Sequence, residues 1–461
     1  MLSRSVYGMG GMAMSQILQL QAVGALAGLP HHAAKAKRVI FLFMSGGLSQ
    51  FETFDYKPAL AKHHGRELPA SMRAGKEIVG MSKNQAWFPL VNPPFQFKQH
   101  GQSGAWVSEL LPHTASVADE LCFLKALHSD AINHDPALTF MQTGAPLPSR
   151  PTMGAWVTYG LGSENHDLPG FIVLVTKKPA DQPLTSRLWD AGFLPSHYQG
   201  VQFRAGTEPV LYLNDPPGVS RESTRRMLDK LQLLHQLELK RTAEAEIEAK
   251  IAQAEMAFRM QASVPEVTEI TREPESTYQL YGEDAKTPGT FAQNCLLARR
   301  MAERGVRFIQ LYHPGWDLHG GLSTHMPILC KEVDQASAAL VKDLKQRDML
   351  KDTLVIFGSE FGRTCYSQGI QSKKSGVYGR EHHRDCFTFW MAGGGIKPGI
   401  SYGETDEFGY QPVVDSVHVN DFHATVLHQL GIDHEQLTYR HQGREYRLTD
   451  VAGKVIQPIL T

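Results

Sequence analysis

The chain has 461 residues, with 46 Lys and Arg against 47 Asp and Glu and a formal net charge of -1. That length allows a large core, and the near-neutral balance argues against non-specific nucleic-acid binding, which needs a basic face. No apolar run reaches the length of a membrane span, and the five cysteines form neither a close-spaced zinc pattern nor a disulfide framework.

Ser3 and Arg4 precede a Gly/Ala/Met/Leu-rich stretch to Leu29, and His31 to Lys37 follow. Residues 1–37 read as the later part of an export signal, with Ala34-Lys35-Ala36 as a candidate cleavage site. Only one arginine precedes the apolar stretch, so a twin-arginine signal is truncated or degenerate. The expectation is an exported, periplasmic protein; the alternative is a loosely packed N-terminal helix on a cytoplasmic one.

From Arg38 onward the pattern is that of one α/β domain, residues 38–461. Arg38 to Met44 (RVIFLFM) is a continuous apolar run, as expected of a strand buried on both faces of a parallel sheet. It ends in Ser45-Gly46-Gly47, where glycines allow a sharp turn and close approach of backbone to a ligand. Residues 65–105 read as an irregular insertion, Val107 to Ala118 as a helix, and Cys122 to Leu127 as a strand. In NHDPALTFMQTG, Asp135-Pro136 predicts a helix start, with His134 just before it. Met153 to Gly160 reads as a helix and Phe171 to Thr176 as a buried strand.

Residues 177–219, rich in proline and aromatics, are expected to loop over the sheet. Arg221 to about Met260 lacks Gly and Pro and repeats apolar residues at helical spacing, so a helical insertion is expected over about 220–263, as one helix or two, packed on the core or on a partner subunit. Phe291 to Glu303 is a predicted helix. The run FIQLYHPGWDLHGG then gives a strand broken by Pro314-Gly315, with Asp317 and His319 just past the break. Ligands of open α/β sheets bind beyond the carboxyl ends of strands, so this pair sits where such a fold places chemistry. Met326 to Gln346 is a further helix, and Leu354 to Phe357 a strand capped by GSEFGRT, with Glu360 and Arg363. Residues 367–379 look mobile. GREHHRD, with Arg380, His382 and His383, precedes a strand from Cys386 to Met391. Val419 to Leu430 is a helix, and a polar final segment wraps the surface. Alternation of strands and helices makes the class α/β with a largely parallel sheet.

The order of these pieces is similar to the alkaline phosphatase-like superfamily of sulfatases, phosphodiesterases and phosphomutases. More narrowly, FLFMSGGLSQFETFDYKP, NHDPALTFMQTG, GWDLHGG, GSEFGRT, GREHHRDCFTFWMAGGGIKPG and YGETDEFGY resemble the bacterial family labelled domain of unknown function 1501, common in planctomycetes, over nearly the whole chain after residue 37. The resemblance implies an alkaline phosphatase-like three-layer sandwich, with a mostly parallel central sheet, helices on both faces and a long helical insertion. It gives a fold and not a substrate. It also implies a metal site built from Asp317, His319 and His382 or His383, of which at most one is expected to be a ligand. The first-strand Asp of the superfamily is replaced by glycines, His134 stands at the nucleophile position, and the later Asp-His is Glu360-Phe361.

A carboxylate with two imidazoles suits a divalent Zn, Mn or Fe ion. For His134 the expectation is a catalytic role as general base, or a ligand role. Glu360 is a candidate ligand, general base or partner of Arg363. Arg363 and Arg380 are candidates to hold an anionic substrate, with Ser45, Gly46 and Gly47 beside it, or to form structural salt bridges. The expected function is metal-dependent hydrolysis of a phosphate or sulfate ester, small-molecule or polysaccharide, without nucleic acid. The alternative is a metal-binding or scaffold protein that kept the fold and lost the chemistry.

Overall fold

A computed structural model describes residues 25–73, 78, 80–179, 184–206, 208–211, 213–242, 245–368 and 378–461. Most of the expected export segment, and most of the stretch expected to be mobile, therefore lie outside the described residues. The principal elements, in chain order, begin with β1 (Arg38–Met44), β2 (Cys122–His128), α1 (His134–Thr143), α2 (Met153–Leu161), β3 (Phe171–Val175) and β4 (Val201–Phe203). Two long helices follow, α3 (Arg221–Thr242) and α4 (Ala245–Thr268), then α5 (Phe291–Glu303), β5 (Phe308–His313), α6 (Leu322–Gln346) and β6 (Thr353–Gly358). The chain continues with β7 (Gly362–Ser367), β8 (Arg380–His383), β9 (Phe387–Ala392), β10 (Ile400–Tyr402), β11 (Val417–His418) and α7 (Val419–Gln429).

Among the described residues, nine strands form the central sheet, in the order β10-β2-β9-β6-β1-β5-β3-β4 with β11 also on β2. Every strand runs the same way except β9, which is antiparallel to both β2 and β6. β1 lies at the centre, paired with β5 and β6. Its alternation feeds two cores, because successive side chains of a strand point to opposite faces. Ile40, Leu42 and Met44 join one core with α5 and α6, and Val39, Phe41 and Phe43 join the other with α1, α2 and α7. The result is a three-layer α/β sandwich with a mostly parallel sheet. The carboxyl ends of β1, β2, β5 and β6 fall on one side, and the polar motifs gather there.

Several local expectations change. Residues 107–118 are not one helix: Ala105–Ser108 is a strand paired with Phe97–His100, and Pro112 opens a short helix, Pro112–Ala115. Pro112 lacks the N–H a helix interior needs, so a helix can start there but not pass through. α1 begins at His134, after Asn133, and the Asp135 carboxylate pairs with Arg187 instead of capping. The insertion is two helices and extends past residue 263 to Thr268, where Met260, Val264 and Val267 enter the core. The expected cleavage stretch is docked, with Lys35 and Ala36 N–H both bonding to the Gln429 carbonyl at the end of α7.

Candidate metal centre

His134 opens α1, and Asp317 and His319 lie on the loop after β5. His382 is on β8, which pairs antiparallel with β7. The fold brings these four together. One donor atom from each lies within 4.8 Å of all the others, the only such His/Cys/Asp/Glu group found among the described residues. Asp317 is the hub. Its Oδ2 is 3.2 Å from His134 Nε2, and its Oδ1 is 2.9 Å from His319 Nε2 and 3.2 Å from His382 Nε2. His319 is the most exposed of the four at 23%, so the centre opens on its side.

The far side of each imidazole is fixed. His134 Nδ1 is 2.7 Å from Glu360 Oε1, His382 Nδ1 is 3.0 Å from the Ile132 carbonyl, and His319 Nδ1 bonds to Gln368 Oε1. A carbonyl or carboxylate oxygen only accepts, so each Nδ1 carries a proton and each Nε2 can present a lone pair. Three lone pairs then converge on a carboxylate, an arrangement that repels unless a cation lies between them. Histidine ligands of metals show this same outer hydrogen bond to a carboxylate or carbonyl. Three imidazole nitrogens and a carboxylate match the donor preference of Zn, Mn or Fe. The residues present therefore fit a divalent ion.

Without an ion the same atoms share protons. Burial alone would lower the pKa of His134, but its hydrogen bonds to Asp317 and Glu360 outweigh that and raise it to about 9. Burial would raise that of Asp317, yet the hydrogen bonds from His134, His319 and His382, with the Arg363 charge, hold it well below the usual carboxylate range. Burial pushes His382 down. The cluster thus competes for protons and metal alike.

The site loop is braced from behind. Trp316 Nε1 donates to His313 Nδ1 at 2.9 Å, and His313 Nε2 lies 2.9 Å from Glu332, which also pairs with Lys178. Two glycines let backbone approach. A Cβ on Gly46, at φ +122, would lie 2.6 Å from Asp317 N, and one on Gly379 would lie 1.9 Å from the His319 carbonyl carbon.

The other expected site residues are placed differently. His383 is outside the donor set: its Nε2 is 2.8 Å from the Tyr410 carbonyl and its ring stacks on Tyr410. Arg380 does not face a substrate, because it is fully buried against Glu52, with Nη2 to Oε1 at 2.8 Å. Arg363 is also buried; its guanidinium donates to the Gly46, Gly47, Trp316 and Arg380 carbonyls and to Asp317 Oδ1. It serves as a resident cation and not a clamp. Ser45, Gly46 and Gly47 are buried, with the Gly46 N–H on Glu360 and the Gly47 N–H on Ser359 Oγ, so they support the centre without lining it. Glu360 is fully enclosed by Gly46, Ser359 and His134, which removes it as a base open to substrate. Sequence reasoning missed Gln368 and the Ile132 carbonyl. Neither carries a sequence signal, since any residue supplies a carbonyl and a lone Gln after a strand is commonplace.

A family model described as Protein of unknown function (DUF1501) matches residues 36–460. No curated protein matches the chain. Among solved structures, the chain is similar to the lipoteichoic acid synthase from Listeria monocytogenes, at 11% identity and a TM-score of 0.38 over 94% of this chain and 80% of that one. It is similar to a phosphonate monoester hydrolase from Silicibacter pomeroyi, at 11% identity and a TM-score of 0.38 over 92% and 76%. A sulfatase from Pseudoalteromonas sp. aligns at 13% identity and a TM-score of 0.33 over 87% and 68%.

Proposed function

The chain belongs to the DUF1501 family, and within it we propose a metal-dependent hydrolase that acts on a phosphate or sulfate ester. The observation that carries the reading is the convergence of three Nε2 atoms on Asp317, each with its Nδ1 tied to an oxygen. His134, Asp317, His319 and His382 would hold one divalent ion. When bound, such an ion supplies Lewis acidity toward a phosphoryl or sulfuryl oxygen and makes a nearby water more acidic.

The chain's own residues orient and exclude. Glu360 holds the His134 ring by its Nδ1 proton and so raises its basicity as a ligand. Phe361 packs on both His134 and His382, with ring centroids 4.9 and 4.6 Å apart, and shuts water out behind them. Arg363 offsets the Asp317 charge from inside, at 2.7 Å, which leaves the open side for an anionic ester. No hydroxyl or thiol occupies the superfamily nucleophile position. On this reading the His134 Nε2 that stands there is committed to the ion beside Asp317, so the attacking group is a water, and no covalent enzyme intermediate forms.

The test begins with elemental analysis of protein purified without chelator, where about one divalent ion per chain is expected. Metal-replete protein is then assayed on aryl phosphate, sulfate and phosphonate esters. Equal metal in the Asp317→Ala/His319→Ala double variant would reject the centre. A second reading keeps the ion and drops the chemistry. The enclosure of Glu360 and the glycines in place of the first-strand carboxylate favour it. Full metal occupancy with no ester hydrolysis would select that reading. Export is part of the proposal; N-terminal sequencing of protein from a periplasmic fraction tests it, and an intact Met1 on cytoplasmic protein would reject it.

A further inference from the structure

α3 is covered on one side only. Thr224, Arg225, Leu228, Gln232 and His235 are partly buried, while Met227, Leu231, Leu233, Leu234 and Leu237 are 54%, 39%, 62%, 61% and 64% exposed. Soluble monomers rarely leave so much contiguous apolar surface uncovered. A shallow groove of about 330 Å³ runs along this face, lined by Ser223, Arg226, Met227, Lys230, Leu231 and Leu234.

The face is self-complementary about Leu234. Leu231 and Leu237 lie three residues to either side of it, and Lys230 and Glu238 lie four to either side. Residues three and four apart share a helix face. If a second α3 crosses antiparallel with a two-fold axis at Leu234, then Leu234 meets its own copy, Leu231 meets Leu237, and Lys230 meets Glu238. Each contact then occurs twice, as an isologous interface requires. α3 has 22 residues and is about 33 Å long, so an axis at Leu234 falls within it with helix on both sides to make the paired contacts.

We propose that the outer face of α3 is a homodimer interface, occupied by α3 of a second copy of this chain in antiparallel register about Leu234. The inference is independent of the metal centre.

Sedimentation or light scattering on the full chain at micromolar concentration tests it, and the expected mass is that of two chains. Leu234→Glu sets two carboxylates face to face on the axis and should give monomer, with unchanged far-UV circular dichroism and metal content. Lys230→Glu and Glu238→Lys should each weaken dimerisation by roughly tenfold or more, because like charges then meet. The double exchange K230E/E238K should restore it, which separates a register effect from a folding defect. A monomeric wild type overturns the proposal, including one that binds vesicles of anionic phospholipid instead. A dimer that persists in K230E and E238K, or is not restored by the exchange, overturns it as well.

Discussion

His382 and His383 are adjacent, yet the strand turns them to different work. His382 Nε2 points to Asp317, and His383 Nε2 to the Tyr410 carbonyl. His382→Ala is therefore expected to abolish metal binding. His383→Ala should keep the metal and cost roughly 1–3 kcal/mol of stability through the lost hydrogen bond and ring stacking on Tyr410. Elemental analysis and denaturant melts of the two variants check this, and an inverted metal result would reassign the ligand. Glu360→Gln keeps the shape but weakens the grip on His134 Nδ1, so metal affinity should fall by about 10–100-fold. An unchanged affinity by competition with a chelating dye would remove Glu360 from the centre. His423 on α7 gives a pH test. Burial pushes its pKa down to about 4, and its Nε2 meets the Met141 carbonyl at 2.8 Å. The unfolded chain titrates near 6.5, so it binds more protons between those two values. The contribution is lost as pH falls from about 6.5 and is gone near 4, roughly 3 kcal/mol in all. A His423→Phe variant should show a shallower acid limb between pH 6.5 and 4, and equal slopes would dismiss the assignment.

The α3–α4 hairpin shows what helical spacing can and cannot say. Leu228, Leu231 and Leu234 recur at the spacing of an apolar stripe, but Leu228 is half-buried while the other two face outward. Periodicity identifies a face without naming its cover. The end of α4 behaves oppositely: Val264 and Val267 are fully buried, and Arg300 bonds to the Val267 carbonyl. A charged, glycine-free helix gave no hint that its last turns belong to the core. Val264→Ala is expected to cost about 2 kcal/mol, because it leaves a cavity. Leu234→Ala should change monomer stability by less than about 0.5 kcal/mol. Urea midpoints of the two variants, measured at low protein concentration, check the contrast; similar losses would mean the outer face is covered within one chain.

Across the molecule, the sheet was largely legible because parallel strands buried on both faces leave continuous apolar runs, as in β1, β5 and β6. The candidate site was legible in part. Asp317 and His319 stood just past a strand end, and the family resemblance put His134 and one of His382 or His383 beside them. Which histidine serves, and that Gln368 and the Ile132 carbonyl hold two of the rings, was not readable, because spatial closeness between distant segments leaves no local pattern. The two roles open for Arg380, holding substrate or forming a structural salt bridge, could not be told apart in the sequence for the same reason: Arg380 and Glu52 are far apart in sequence but fully enclosed together. Ion binding should show in global stability. An ion present at about a hundred times its dissociation constant adds about 2.7 kcal/mol. Dialysis against chelator should thus lower the melting temperature by a few degrees, and replacing the ion should restore it. A melting curve indifferent to both would argue against a specific centre.

Because β1 pairs with strands from the second half of the chain, and the donors run from His134 to His382, a nascent chain carries the complete set only once His382 has been made. On the proposed reading an ion is held by all four donors only after these segments have met, and at such a set metal availability, more than raw affinity, selects among Zn, Mn and Fe. The ion captured would then follow the ion pool surrounding the chain when its sheet closes. Protein refolded in the presence of each ion should retain the one supplied. An ion found in protein from its native cell would thereby be a record of where that chain finished folding.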